Sequence, residues 1–338
     1  MTTLANLGYE TLTDIMSQYT SMDAQGQYLY AANVLARAVP LIEMLPFVAS
    51  NQVLSNIGSR DSYLPTIGTR RFNEYISPTT GKTEPFTDPI AMFEDYSKVD
   101  KAMWAIQNEP NVWRQRKDAQ KIEAFGQAAE TMMLYGNMST DDGAFNGLCT
   151  RFNSTTAYPN DDSDWPYNVI DAGGSGSDTT SVLVLQLGPG KVYGIYPKNL
   201  PGGLEIEDLG QKTDMITDTT VKYMEVLMTH FTWFMGLVVE DERCVQRYGN
   251  IEVTGTTNTF NEDYLIEVID NLPDGGDAPG TVILASRKIK TWLNIRAKDK
   301  DNVTYQPEEA WGGRRVTRFQ GIPVLLAHKL SETEIEFS

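Results

Sequence analysis

At 338 residues, 41% hydrophobic and 10% aromatic, the chain is too long for one core to keep growing and too apolar to stay disordered. Its formal net charge of −17 argues against a nucleic-acid reader, which gains affinity by neutralising phosphates, and an anionic membrane would repel it as well. No apolar run approaches the roughly 18 residues of a membrane span, and the first basic residue is Arg37, so no secretory leader is expected.

Residues 1–27 are polar and small, which suits a short helix or an arm that orders on a partner. A helix is expected from Tyr28 to Met44, kinked or broken at Pro40. From Asn56 to Val99, β-leaning residues flank a centre rich in Pro and Gly (Pro78, Gly81, Pro85, Pro89). That pattern predicts a long hairpin with its tip near Thr80–Glu84. It holds too little apolar surface to bury itself, so it needs a surface to lie on. The clearest helix runs from Asn111 to Tyr135, with Ile122, Phe125, Ala129 and Met132 on one face and a stop at Gly136 and Asn137.

Asp141 to Asp178 is the least regular part and reads as loops with short strands. Ser181–Leu187 and Lys191–Tyr196 read as strands, with a turn at Pro201–Gly203. The segment His230–Val239 is a strand apolar on both faces: Phe231, Trp233 and Met235 point one way, Thr232, Phe234 and Gly236 the other. Glu240, Asp241, Glu242 and Arg243 then mark an exit to a wet surface or a polar interface, followed by the turn Arg247-Tyr248-Gly249-Asn250. A helix is predicted over Asn261–Asn271, a short buried strand over Thr281–Leu284, and a helix capped by Ser286 to about Ala297. Trp311–Leu330 closes the domain as a strand pair split at Gly321 and Pro323.

The motifs that might carry chemistry fail on spacing. Gly81-Lys82-Thr83 lacks the earlier glycine of a phosphate loop, since that position is Ile76. Gly173, Gly174 and Gly176 lead into a strand, so no helix N-terminus would receive a pyrophosphate. His230 and His328 have no metal-spaced partners, and His230 reads as a hydrogen-bonded structural histidine. Asp161, Asp162 and Asp164 lack the Gly and Glu of a calcium loop. Cys149 and Cys244 read as buried reduced thiols. Trp104, Trp113, Trp233 and Trp292 sit in apolar-patterned segments and read as core. Trp165 and Trp311 lie in loops and are interface candidates.

Taken in order, these segments resemble the major capsid proteins of tailed bacteriophages, which share the HK97-like fold. PLIEMLPF (Pro40–Phe47) resembles the motif leading out of the N-terminal arm, and the Asn56–Val99 hairpin the extended E-loop. The Asn111–Tyr135 helix with LYGN and FNGL resembles the long spine helix and its following turn. IDAGGSGSDTTSVLVLQLGP, VYGIYPKN and the strand ending in RYGNI resemble a podovirus-like subgroup. TVILASRKIKTWL and FQGIPVLLA resemble the axial domain.

The resemblance implies an α+β chain with a spine helix, an E-loop hairpin, a peripheral domain and an axial domain. It divides the chain into an arm and helix (1–50), the hairpin (51–99), a peripheral domain (100–145 and 222–260), an axial domain with its loops (146–221 and 261–330) and a C-terminal tail (331–338). It implies a structural subunit, not an enzyme, with no cofactor or metal. Such subunits form the hexamers and pentamers of an icosahedral shell around double-stranded DNA, which is contacted non-specifically. The expected partners are other copies of the chain, with scaffold, portal and decoration proteins and no membrane. The virion is the expected location, after synthesis in the host cytoplasm. Contact candidates are Arg70, Arg71, Lys82, Glu84, Phe86, Trp165 and Trp311. The alternatives are an encapsulin-like shell enclosing protein cargo, or a soluble α+β enzyme.

Overall fold

The computed structural model describes residues 39–106, 110–161, 165–217, 221–298, 305–309 and 315–337. The expected arm over 1–27 and the first part of the Tyr28–Met44 helix lie outside them. The chain divides into two compact units. The first is built from residues 92–128 and 203–234, the second from 39–91, 129–202 and 235–337.

The first unit is a sheet with a helix on it. β4 (Ala91–Asp100) alternates cleanly: Phe93, Asp95, Ser97 and Val99 turn inward while Met92, Glu94 and Tyr96 stay exposed. That period of two is the signature of a half-buried strand. It explains why β4 leaves the hairpin expected over 56–99 and joins the sheet beside β9 (Val221–Val239). β9 also pairs with β8 (Leu204–Thr217) along its first thirteen residues. The strand expected from His230 starts earlier, at Val221, and its partner β8 matches no expected element. The charges of LEIEDLGQKTDMIT hide a strand with one wet face.

Helix α3 (Pro110–Tyr135) packs its apolar stripe on this sheet, after two shorter helices, α1 (Pro40–Met44) and α2 (Lys101–Ile106). Phe125 meets Phe231 at 6.1 Å between ring centres. Its polar side is tied by Lys121 to Asp95 at 2.7 Å and by Arg114 to Thr229 at 2.9 Å. Proline opens both α1 and α3 at the first turn, where a missing N–H costs nothing. On the other face of the sheet His230 Nε2 donates to the Glu94 carboxylate at 2.6 Å, and the ring stacks on Tyr96 at 4.5 Å. It is the hydrogen-bonded structural histidine expected. Of the tryptophans expected in the core, Trp233 is fully buried; Trp104, Trp113 and Trp292 are only partly so.

The second unit centres on a seven-stranded sheet in the order β12-β13-β14-β11-β6-β10-β5. These strands are β12 (Tyr305–Glu309), β13 (Arg315–Phe319), β14 (Ile322–Leu326), β11 (Thr281–Ala285), β6 (Thr179–Gln186), β10 (Val245–Glu252) and β5 (Val169–Asp171). Every residue of β6 is buried, and its Val182–Leu185 stretch is apolar on both faces instead of alternating. Val182 and Val184 face a core shared with Leu265 and Ile269 of α5 (Glu262–Asp270) and with Ile289 and Leu293 of α6 (Arg287–Lys298). α4 (Leu148–Arg151) completes the helices of this unit among the described residues. β1 (Phe47–Ala49) runs parallel to β7 (Val192–Tyr196), which pairs with the end of β9.

The RYGN segment, expected as a turn, lies inside β10, where the ladder shifts register between Tyr248 and Ile251 instead of turning, and on the far face of the seven-stranded sheet it organises the C-terminal segment. Arg247 is 3% exposed and Glu334 5%, and they pair at 3.0 Å. The guanidinium also donates to Ser181 Oγ at 2.9 Å, to the Cys149 carbonyl at 3.0 Å and to the Phe152 carbonyl at 2.7 Å. Glu334 takes further bonds from Tyr135 and Ser181. Tyr248 turns into the core and accepts from the Asn261 amide at 3.2 Å. Gly249 leaves room for the Phe337 ring, which a Cβ there would overlap. Asn250 holds a left-handed φ of 53° and binds Asp171 and the Phe337 carbonyl, both at 2.9 Å. Residues 331–337 are thereby stitched to β6, β10 and the end of α3.

Two outcomes are expected from these buried charges. Arg247→Ala leaves Glu334 buried and unpaired, so urea denaturation should show a loss of about 3–5 kcal/mol, while Phe337→Ala should cost less. Glu130 on α3 is 1% exposed and its oxygens make no hydrogen bond of normal geometry. Burial raises its carboxyl pKa, and the Lys329 and His328 amides offset only part of that. A raised folded-state pKa contributes stability that is present below the ordinary carboxylate pKa and lost as pH rises through the raised value. Denaturation midpoints should therefore climb as pH falls toward the ordinary value, and Glu130→Gln should flatten that slope and stabilise the protein at pH 7.

Candidate assembly surfaces

The hairpin is formed by β2 (Ser55–Tyr63) and β3 (Lys82–Pro89), paired from Ser55↔Pro89 to Tyr63↔Lys82. Lys82 is the first residue of β3, so the expected tip at Thr80–Glu84 is wrong by register. The connection is 64–81, because Pro78 and Gly81 keep the chain out of the ladder until Lys82.

That connection is exposed and apolar. Phe72 is 98% and Tyr75 102% exposed, with Leu64 and Ile67 nearly as open. Local bonds shape it: Arg70 donates to the Glu74 carbonyl at 3.3 Å, the Arg71 amide to the Glu74 carboxylate at 3.1 Å, and Thr79 Oγ1 to the Thr66 carbonyl at 2.8 Å. Lys82 and Glu84 form an ion pair at the start of β3, on the face that Phe86 and the buried Asp88 continue toward the root. Val53, Leu54 and Ile57 add exposed apolar surface near the root.

The root is latched to the segment that follows β9. Arg60 pairs with Glu242, donates to the Val239 carbonyl at 3.3 Å and lies 4.6 Å from the Phe86 ring centre. Phe86 in turn covers Gly58, where any side chain would collide with the ring. Glu242 accepts from the Asn160 amide at 2.9 Å, and the Asn160 side chain binds Asp241 at 3.1 Å. Asp241 caps the turn Glu242–Cys244 and pairs with Arg243 at 2.9 Å. Its carboxyl is penalised by burial, but the Arg243 bonds outweigh that and hold its pKa below the ordinary value. The charge cluster after β9 is therefore a polar interface inside the chain. A cleft of about 230 Å³ beside it is lined by Arg60, Glu84, Pro85, Phe86, Asn160 and Glu242.

The candidates separate into two groups. Arg70 and Arg71 lie in the 64–81 connection, bonded to Glu74, and Lys82 pairs with Glu84 at the start of β3. Phe86 lies at the root. Trp165 is held within its own chain, donating to the Asn271 carbonyl at 3.1 Å with Arg243 5.2 Å from its ring. Trp311 lies outside the described residues. Sequence reading missed Arg60, Asn160 and Glu242 as a unit, since Arg60 and Glu242 are 182 positions apart. Cys149 and Cys244 are free and buried, and burial pushes both thiols up to about 12. Among the described residues no group of three His, Cys, Asp or Glu is placed to hold a metal, and no helix is long and apolar enough to cross a membrane.

The family model for major capsid protein GP7 matches residues 23–338. The chain belongs to that family. Its solved relatives carry the same architecture. A chain of the bacteriophage Epsilon15 structure is 21% identical, with a TM-score of 0.65 over 97% of both chains. A chain of the bacteriophage JBD30 capsid is 11% identical, with a TM-score of 0.51 over 95% of this chain and 99% of that one. None of the curated proteins compared matches this chain. The α+β fold is the HK97-like capsid fold, and the major capsid protein is a structural subunit of a phage shell, not an enzyme.

In this capsid protein the root latch should set how firmly the hairpin is held. Arg60→Ala or Glu242→Gln should speed amide exchange at Ile57 and Phe86 at least tenfold while leaving exchange in β6 unchanged. Equal acceleration in both places would show that the latch belongs to the global core.

Proposed function

We propose that copies of this chain close into the hexamers and pentamers of an icosahedral shell around packaged double-stranded DNA, with loop 64–81 of each copy lying on a neighbour. The observation that carries this reading is the loop itself. Two aromatic side chains that are almost wholly in water, beside further open apolar residues, are a surface awaiting a partner. Arg70, Arg71, Lys82 and Glu84 would supply its polar contacts, with Phe86 and Trp165 acting through the root and Trp311 a further contact candidate.

An obligate interface buries more than about 2,000 Å², and many such contacts add as a multivalent lattice. Like charges on a −17 subunit oppose association until salt screens them. The same acidity keeps contact with DNA non-specific and weak. Synthesis in the host cytoplasm, a portal vertex, and scaffold and decoration partners complete this reading.

Negative-stain electron microscopy across a salt series tests it. Wild-type protein should give capsomer rings or closed thin-walled shells as salt rises. Phe72→Ser with Tyr75→Ser should stay dispersed at the same concentration with an unchanged melting temperature. Monomers at every salt, with or without co-expressed phage assembly proteins, would overturn the assembly reading. Normal shells from the loop variant would overturn the role of the loop.

A further inference from the structure

The second unit carries opposite charge on its two helical flanks. α5, EDYLIEVID, has four acids and no base, and α6, RKIKTWLNIRAK, has five Lys and Arg and no acid. Both pack on one face of the seven-stranded sheet, sharing the core of Val182 and Val184. α5 sits over β10, toward the β5 edge, and α6 over β11, β12, β13 and β14, toward the other edge. A chain of net −17 has thus gathered bases on one flank and acids on the opposite one.

Part of this charge is consumed internally. Arg296 of α6 pairs with Glu262 of α5 at 2.7 Å, and Lys288 lies 5.5 Å from the Trp292 ring. Part of the remainder faces outward. Asp263, Glu267 and Asp270 are exposed and fall at i, i+4 and i+7, one stripe of α5. Arg287 is exposed and Lys288 half-exposed at the start of α6. Among the described residues no ion pair within the chain uses Asp263, Glu267, Asp270 or Arg287.

We infer that the basic start of α6 docks on the acidic stripe of α5 in the next copy, as the head-to-tail contact that closes the capsomer ring. The inference rests on the assembly reading above and names a contact within it. Two different, mutually complementary patches on one domain are what a heterologous contact requires, and repeating such a contact by rotation closes a ring. Charges of opposite sign fix the register and reject a head-to-head approach.

Charge reversal tests the contact. The first variant carries Arg287→Glu and Lys288→Glu, which makes the start of α6 acidic like the α5 stripe. The second carries Asp263→Lys and Glu267→Lys, which puts two bases in the α5 stripe to face the basic start of α6. All four positions are at least partly exposed, and circular dichroism and melting temperature confirm the fold. Each variant alone should lose at least tenfold in assembled mass by sedimentation. The chain carrying all four changes should recover shells. An equimolar mixture of the two variants should form six-membered rings by alternation but no closed shells, since a five-membered ring cannot alternate.

Either reversed variant assembling like wild type, or a mixture no better than its components, would sink this contact while leaving the capsid reading intact. Wild-type protein that never assembles counts against the assembly reading and takes the contact with it.

Discussion

A guanidinium sealed from water must find its acceptors in the protein, and Arg247 meets that demand from three separate stretches of chain. It draws the carbonyls of residues 149 and 152, the hydroxyl of Ser181 on β6 and the carboxylate of Glu334 onto one point, with the Phe337 ring 4.0 Å away. An unpaired charge there would cost several kcal/mol, so none of these stretches can move independently. The end of α3 is held through Tyr135, and the last residues of the chain become part of the sheet's far face. The position of the β6–β10 pair, and with it the face that carries α5 and α6, depends on that junction.

Around this rigid centre, the surfaces that matter for a shell are those the subunit cannot satisfy alone. The hairpin has a fixed root and an open end. Arg60, Glu242 and Asn160 exchange charge and hydrogen bonds at its base, while Phe72 and Tyr75 remain in water at its far end. A two-stranded ribbon has no core of its own, so its stability is borrowed from the root and, in a shell, from a neighbour. The acidic and basic flanks of α5 and α6 are incomplete in a different way: each is the complement of the other, yet one domain cannot bring both onto itself beyond the Arg296–Glu262 pair. Apolar demand and charge complementarity both point outward, toward further copies.

Much of this was legible in the residues because the relevant signals are local. The Asn111–Tyr135 stripe, the shared face of Tyr264, Leu265, Val268 and Ile269, the Ser286 cap, the composition of 181–187 and the two-sided apolarity of 231–239 are local patterns, and each produced the element expected. Elements with one wet face were harder. β8 carries its charges toward solvent and was unassigned, and β4 was joined to a hairpin it does not belong to, because alternation identifies a strand but not its neighbour. The charges after β9 could be seen to leave the apolar strand, but their destination could not be seen.

The sequence by itself determined the long helix that ends at Tyr135, the helices that follow Asn261 and Ser286, the apolar cores of the buried strands, the acidic balance, and an order of segments specific enough to resemble a capsid family. Those properties follow from intervals of two, three or four residues. Only the tertiary structure decided that Arg60 answers Glu242, that Arg247 answers Glu334, and that the basic helix and the acidic one share a sheet face at opposite edges. Charge pairs separated by 87 or 182 positions leave no periodic trace in a chain with many alternative partners, and folding alone selects among them.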